Sequence, residues 1–324
     1  MDIKDLELRA KLLVRSGVRP TTARTYNTAQ SRFLSFCDSI QALPIPCSEN
    51  TLLLYVAYLS KEGLKASSVR VYLAAIRALH IEEGHGNPLE GYMRVQRAVR
   101  ALEIQAEPPK QKLPITYTIM EKLQMVVGAK DYHASLIWAA MTLAYFGCLR
   151  GAELAHTGQF NAELHLTSAD MSFHPEADSI PEHIVVTVKR SKTDKLNKGF
   201  KIHLRCSRTL VCAYCALSSM LCRRAQLGLS MLPRSPLFMF PNAMALSRNV
   251  FVQQTRLYLS MMGLESSQYS GHSYRSGSAT TAAMAGTPDW QIKLLGRWNS
   301  DAYQVYVRAS TSSMLDLTSS LCFK

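Results

Sequence analysis

The sequence predicts a mainly α-helical protein with a small antiparallel β-sheet, divided between two domains. Three observations carry that expectation. Up to residue 105, four consecutive segments repeat apolar side chains at three- and four-residue steps, the period of a helix with one buried face. Residues 106–114, Ala-Glu-Pro-Pro-Lys-Gln-Lys-Leu-Pro, break the pattern with three prolines and few large apolar groups, as an extended linker does. Strand-like segments occur only after that break. At 324 residues, with 47% hydrophobic and 19% charged, the chain can fill two cores and is too apolar to be a solvated tail.

Residues 1–19 alternate acidic and basic side chains around Leu6, Leu8, Leu12 and Leu13, and fit either a short helix or a loose arm. The first domain is expected over 20–105. Pro20 opens a helix whose stripe is Tyr26, Ala29, Phe33 and Phe36. Pro44, Pro46 and Ser48 mark a loop and a cap, and Leu52 to Leu59 reads as a second helix. Ser67-Ser68 is expected to cap a third, with Val69, Tyr72, Leu73, Ile76 and Leu79 inward, and Met93 to Leu102 makes a fourth. Arg24 and Arg32 on the first helix, Arg70 and Arg77 on the third, and Arg94, Arg97 and Arg100 on the fourth form basic faces. Lys65 sits at the free N-terminus of the third helix, which favours an anion. Such faces suit a phosphate backbone, although a solvated surface carries the same pattern.

The second domain is expected over 115–324. Tyr117 to Val127 and Ala134 to Phe146 read as helices. Gly147 and Gly151 flank Leu149-Arg150, as if the backbone turned tightly to present the arginine, and Glu153 is placed to hold it. Ile184 to Val188 and Phe200 to Leu204 are strands, and between them Lys189, Arg190, Lys192, Lys195 and Lys198 make a very basic hairpin tip. Leu210 to Ala225 and Ser247 to Met262 return to helix. There follow Gly271-His272-Ser273-Tyr274-Arg275, Leu295-Gly296-Arg297-Trp298 and Tyr303-Gln304-Val305-Tyr306-Val307-Arg308. This set supplies a guanidinium fork for phosphate oxygens, an imidazole on the same helical face, and two phenols able to act as nucleophiles beside positive charge.

Lys plus Arg exceed Asp plus Glu by 37 − 24 = 13, which favours a polyanionic partner. No run of about 18 apolar residues spans a membrane, and the N-terminal stretch has no apolar signal core. Eight scattered cysteines read as reduced thiols. Cys212 and Cys215 form a lone Cys-x-x-Cys with His203, Cys206 and Cys222 nearby; the spacing matches no strong finger, so no metal is expected, with zinc as the alternative. No clustered acidic and histidine set is visible that would serve a metal-dependent phosphodiesterase.

In chain order, Leu149-Arg150-Gly151-Ala152-Glu153-Leu154, Ser191-Lys192-Thr193, His272-x-x-Arg275, Gly296-Arg297-Trp298 and Tyr306 within Gln-Val-Tyr-Val-Arg resemble the boxes of the tyrosine recombinases, the phage-integrase family. The resemblance covers roughly residues 20–310. The wording Gly-Arg-Trp-Asn-Ser-Asp-Ala-Tyr and Ser-Lys-Thr-Asp is most similar to recombinases of eukaryotic DIRS and Ngaro retrotransposons, with Cryptons as neighbours. It implies an N-terminal helical, SAM-like core-binding domain and a C-terminal α+β catalytic domain. It further implies that Tyr306 attacks the scissile phosphate to give a 3′-phosphotyrosine, that Arg150 and Arg275 grip its oxygens, and that Lys192 protonates the leaving 5′ oxygen. By the same resemblance His272 assists at the nucleophile, Trp298 packs against the site and offers its indole N–H, and Glu153 supports Arg150. Neither metal nor nucleotide cofactor is implied. The implied partners are double-stranded DNA, contacted also by Lys189, Arg190 and Lys195, and further copies of the chain, a dimer per site and a tetramer in the synapse, with no membrane. A eukaryotic mobile element would place the protein in the nucleus, a prokaryotic one in the cytoplasm.

Many relatives place the nucleophile nine residues after the His-or-Trp position; here Tyr306 lies eight after Trp298 and Tyr303 five after. Tyr306 is favoured by its Tyr-Val-Arg context. The tail 309–324, with Met314, Leu315, Leu317, Leu321 and Phe323, is short for the helix that docks on a neighbour in this family. A type IB topoisomerase and a non-catalytic DNA-binding descendant are the competing readings. The first would relax supercoils without strand exchange, and the second would have no use for the nucleophile.

Overall fold

The computed structural model describes residues 2–108, 111–128, 130–175, 182–191, 194, 198–305, 315 and 318–319. The chain forms two compact units, Met1–Pro109 and Lys110–Lys324, and the boundary falls inside the proline-containing break.

The first unit contains α1 (Ile3–Ser16), α2 (Pro20–Ser39), α3 (Glu49–Lys61), α4 (Ala66–Glu82) and α5 (Met93–Gln105). Of the two expectations for the N-terminus the helix holds. Asp2 caps α1, which buries none of its residues. Pro20 stands at the first position of α2, where its missing N–H costs nothing, and the Ser48 hydroxyl accepts the Thr51 N–H at 3.0 Å to start α3. α4 departs from expectation: Ser67 and Ser68 lie inside its first turn, Lys65 is the N-cap, and no side chain caps it. Ala66 is buried, so packing sets where this helix begins. The core gathers Phe33, Leu52, Tyr55, Leu59, Val69 and Ile76, with Phe33 edge-on to Tyr55 at 5.1 Å. His80 is also buried; its Nε2 accepts the Cys47 N–H at 3.1 Å, which leaves Nδ1–H to donate to the Ile76 carbonyl at 2.8 Å.

The second unit contains α6 (Tyr117–Val127), α7 (Tyr132–Phe146), the single turn α8 (Gly151–Leu154), strands β1 (Met171–His174), β2 (His183–Val188) and β3 (Phe200–Arg205), then α9 (Ala213–Gln226), α10 (Arg248–Met261), α11 (Ser273–Met284), α12 (Asp289–Gly296) and a 3-10 turn over Asp301–Val305. α7 is the axis of this unit. Thirteen of its 15 residues are buried, so it is apolar all round and packs against α6, α9, α10 and α11. The sheet is an antiparallel meander in the order β1-β2-β3, with Val186 opposite both Met171 and Ile202. β1 escapes sequence reading because it is a short edge strand with no buried residue and hence no apolar alternation. The chain enters this unit along α11: the Ile115 N–H donates to the Ser273 carbonyl at 2.8 Å, and a Cβ on Gly277 would lie 1.7 Å from the Ile115 carbonyl oxygen. Glycine is therefore the residue that lets helix and strand-like entry touch. Among the described residues no helix is long and apolar enough to cross a membrane.

Candidate active site

The site begins where α7 ends. The backbone turns through Cys148, a buried residue at φ 47°, whereas Gly147 is right-handed at φ −79°. The tight turn expected between the two glycines is present, but its left-handed residue is Cys148 and not a glycine. Gly147 is needed for space, since a Cβ there would lie 2.7 Å from the Leu143 carbonyl oxygen, and one on Gly151 would lie 3.2 Å from Arg248 Nε. Emerging from the turn, Arg150 is the N-cap of α8. Its Nη1 donates to Glu153 Oε1 at 2.7 Å and its backbone N–H to Oε2 at 2.9 Å, so one buried carboxylate fixes both the side chain and the peptide.

The same carboxylate holds a second guanidinium that the motif reading passed over. Arg297 Nη2 donates to Glu153 Oε2 at 3.2 Å and to the Cys148 carbonyl at 3.0 Å, while Nη1 reaches the Gly147 carbonyl at 3.0 Å. Arg297 stands at the left-handed C-cap of α12, φ 56°, with its guanidinium 4.0 Å from the centre of the Phe200 ring on β3. Its place between Gly296 and Trp298 is the signal that could have found it.

Arg275 is almost wholly buried, 1% exposed. Nη1 donates to the Cys148 carbonyl at 2.6 Å and Nη2 to the Gly296 carbonyl. Trp298 covers the guanidinium, with 4.2 Å between its carbon and the ring centre. That fold-back requires Gly296, because a Cβ there would lie 1.7 Å from the indole. Burial above all, then the charges of Arg150 and Arg297, pushes the Arg275 pKa down to about 10, still fully protonated near neutrality. Cys148 therefore serves as a hub: its one carbonyl accepts from Arg275 and Arg297, and the next residue but one is Arg150.

His272 is the N-cap of α11, three residues before Arg275. His272 is open to solvent on one side, yet its pKa lies below the ordinary histidine value, first through partial desolvation and then because Arg248, Arg275 and Arg150 oppose a further positive charge. The neutral imidazole is thus the resting form, the form able to accept a proton. Arg248, the first residue of α10, is the second cation missed from sequence; its side chain has no hydrogen-bond or ion-pair partner among the described residues. An arginine at the start of a helix gives no motif by which to find it.

The fold thus brings together Arg150, Glu153, His272, Arg275 and Trp298. Lys192, Lys195 and Tyr306 lie outside the described residues. Tyr303 is 2% exposed and packs with Ala279, Ile292 and Trp298; its hydrogen bond to Asp289, more than burial, raises its pKa. That cover and that shift both disfavour the ionised phenol a nucleophile needs.

Two expected DNA-facing cations have internal duties instead. Lys189 Nζ donates to the Ala162 and His165 carbonyls at 2.6 and 3.2 Å and pairs with Asp170 at 2.8 Å, anchoring the hairpin's root. Arg32 pairs with Glu62 at 3.2 Å and faces the Tyr58 and Tyr72 rings at 5.3 and 6.0 Å. Arg70 is exposed but forked onto Glu103. Lys65, Arg24, Arg77, Arg94 and Arg97 are exposed, and among the described residues their side chains have no hydrogen-bond or ion-pair partner; Arg190 is exposed beyond β2. A groove of about 770 Å³ between α4 and α5 is rimmed by Arg70, Arg77, Arg97 and Arg100.

No family model matches the sequence. A curated relative, the integrase/recombinase XerD homolog of Selenomonas ruminantium, is 24% identical over 289 residues, covering 86% of this chain and 78% of that protein. Two similar solved structures are XerH site-specific recombinase bound to palindromic difH substrate in a post-cleavage complex (TM-score 0.61, 14% identity, 92% of this chain and 77% of that one) and a lambda integrase dimer bound to a COC′ core site (TM-score 0.54, 18% identity, 94% of each chain). The fold, mostly helical with a three-stranded antiparallel sheet, is that of tyrosine recombinase catalytic domains. The sequence likeness is to a protein named an integrase/recombinase, and the likeness to the solved structures is one of fold.

Proposed function

We propose that the protein is a site-specific recombinase that cuts and rejoins double-stranded DNA through a covalent link to Tyr306. The observation that carries this reading is the convergence, around the Cys148 carbonyl and the Glu153 carboxylate, of Arg150, Arg275 and Arg297 beside a neutral His272. Such a fixed cluster of cations stabilises the charge that builds on phosphate oxygens in a five-coordinate transition state, and needs little reorganisation to do so. Arg150, the less buried of the two family arginines, meets the phosphate directly, and Arg275 acts from beneath in a low-dielectric setting where its charge counts for more. The Tyr306 oxygen attacks phosphorus as His272 accepts its proton; the bond from phosphorus to the 5′ oxygen breaks, and Lys192 protonates that oxygen. Reversal of these steps by another strand's 5′ hydroxyl reseals the DNA. Because the phosphotyrosine conserves the broken link, the ligation needs no nucleotide.

Exposed Lys65, Arg24, Arg77, Arg94, Arg97 and Arg190 hold the DNA backbone in this reading, with two copies per site and four in the synapse. The relationship to eukaryotic retroelement recombinases rests on the wording around Trp298 and Ser191 alone. The test is a suicide substrate nicked near the cut, resolved on a denaturing gel. Tyr306→Phe is expected to abolish the covalent adduct and leave DNA binding unchanged, whereas Tyr303→Phe retains the adduct. An adduct that survives in Tyr306→Phe and vanishes in Tyr303→Phe would transfer the nucleophile's role. Supercoil relaxation without exchanged strands would point to a topoisomerase.

A further inference from the structure

Away from the site just described, three thiols from two elements meet at the junction of β3 and α9. The Sγ atoms of Cys206, Cys212 and Cys215 all lie within 4.8 Å of one another, and Cys206 and Cys215 are 3.9 Å apart. We propose that these three cysteines form a zinc site that clips the end of β3 to the start of α9, with a water molecule as the fourth ligand.

The geometry suits the ion. A tetrahedron with metal–sulfur bonds of about 2.3 Å has edges of about 3.8 Å, so the 3.9 Å pair already spans one edge and the third thiol needs only a small inward movement. The surroundings suit thiolates. Cys212 is the N-cap of α9, whose amino end carries partial positive charge, and the Cys215 N–H donates to Cys212 Sγ at 3.5 Å. An N–H aimed at a ligating sulfur is the outer-shell contact that orients such a ligand and disperses its charge. Cys206 is held from the other side, because its N–H donates to the Glu182 carbonyl at 2.8 Å and extends the β2–β3 ladder. Cys212 is buried, Cys206 half-buried and Cys215 exposed, which gives the ion a floor, a wall and an entry path open to solvent for the fourth position.

The ligand set differs from the one the sequence offers. Cys222 lies exposed farther along α9, contacting Gln226, and His203 points into a ring contact with His183 at 5.8 Å; neither joins the cluster. The Cys-x-x-Cys pair completes its set from the preceding strand end instead, at a spacing of six residues before Cys212. The clip has a structural consequence. It pins β3 at its Arg205 end, and the opposite end of that strand carries Phe200, on which Arg297 stacks. No step of the strand-cleavage chemistry passes through the ion.

The test uses the full-length chain purified under reducing conditions in zinc-containing buffer and then gel-filtered. Elemental analysis is expected to find one zinc per chain, released by a mercurial thiol reagent. Cys206→Ser and Cys215→Ser should each weaken retention tenfold or more, while Cys222→Ser retains the metal. Because a serine variant can fail by misfolding, the wild-type chain is also stripped with chelator and reloaded with cobalt(II). Sulfur-to-cobalt charge-transfer absorption with the intense bands of a tetrahedral site is expected, and the melting temperature should fall on stripping and recover with zinc. Zinc content in the wild type no higher than in Cys206→Ser, absence of charge-transfer absorption, or a Cys206–Cys215 disulfide found by peptide mapping in the reduced preparation would each overturn the proposal.

Discussion

Glu153 receives guanidinium groups from Arg150, three residues away, and from Arg297, 144 residues away. Removing it leaves two cations crowded together without their shared counter-charge, and a buried charge that loses its partner is costly. Glu153→Ala is expected to lower single-turnover cleavage by about 10²-fold, the usual loss when one preorganised electrostatic element goes, with circular dichroism unchanged and DNA binding retained. His272 makes the pH dependence specific. Its folded pKa is lowered, so the proton-accepting form persists below the ordinary 6.5, and the acid limb of cleavage should lie below that value. Arg248 is among the charges that depress it; Arg248→Ala removes a like charge, so the limb should move to higher pH. A pH–rate profile of adduct formation for both proteins checks the direction, and an unmoved limb would remove Arg248 from the site's electrostatics.

At the scale of elements, close approach and caps decide more than propensity. α11 lies against the incoming chain only because Gly277 has no side chain, and Gly277→Ala should destabilise the protein by about 3 kcal/mol, the upper end of ordinary overpacking; a thermal or urea transition measures it. In the first unit, His80 joins α4 to the loop at Cys47 as a neutral ring. Burial holds its folded pKa below 6.5, so the unfolded chain binds the proton more readily. This contribution is present above pH 6.5 and is lost as pH falls toward the depressed folded value, so wild type should lose more stability on acidification than His80→Gln. Denaturant titrations at a series of pH values supply the comparison. The helical elements were legible because their apolar stripes are regular: α6 matches its expected bounds residue for residue, and α2, α3, α5 and α10 lie within a few residues of theirs. β1 and the true start of α4 were not, since an exposed edge strand has no alternation and a cap set by packing has no local marker.

Over the whole molecule, an excess of 13 positive charges calls for a polyanion, but the fold sorts which cations are available. DNA affinity should fall steeply with salt. Arg77→Ala and Arg97→Ala should each weaken binding and reduce the slope of log K against log salt by about one. Lys189→Met should instead lower the melting temperature with little change in slope, because that ammonium holds the Ala162 and His165 carbonyls and Asp170. Fluorescence anisotropy at several salt concentrations, beside thermal melts, separates the two behaviours. By itself the sequence determined the helical periods, the break near residue 109, the strands β2 and β3 and the ordered set Arg150, Glu153, His272, Arg275 and Trp298, because each is written in neighbouring residues a few positions apart. Only the tertiary structure decided that Arg297 shares Glu153, that Trp298 folds over Arg275, that Lys189 is a strut and that Cys206 meets Cys212 and Cys215. Those outcomes depend on which distant backbone carbonyls and side chains arrive within about 3–4 Å of a given group, and chain spacing carries no record of such encounters.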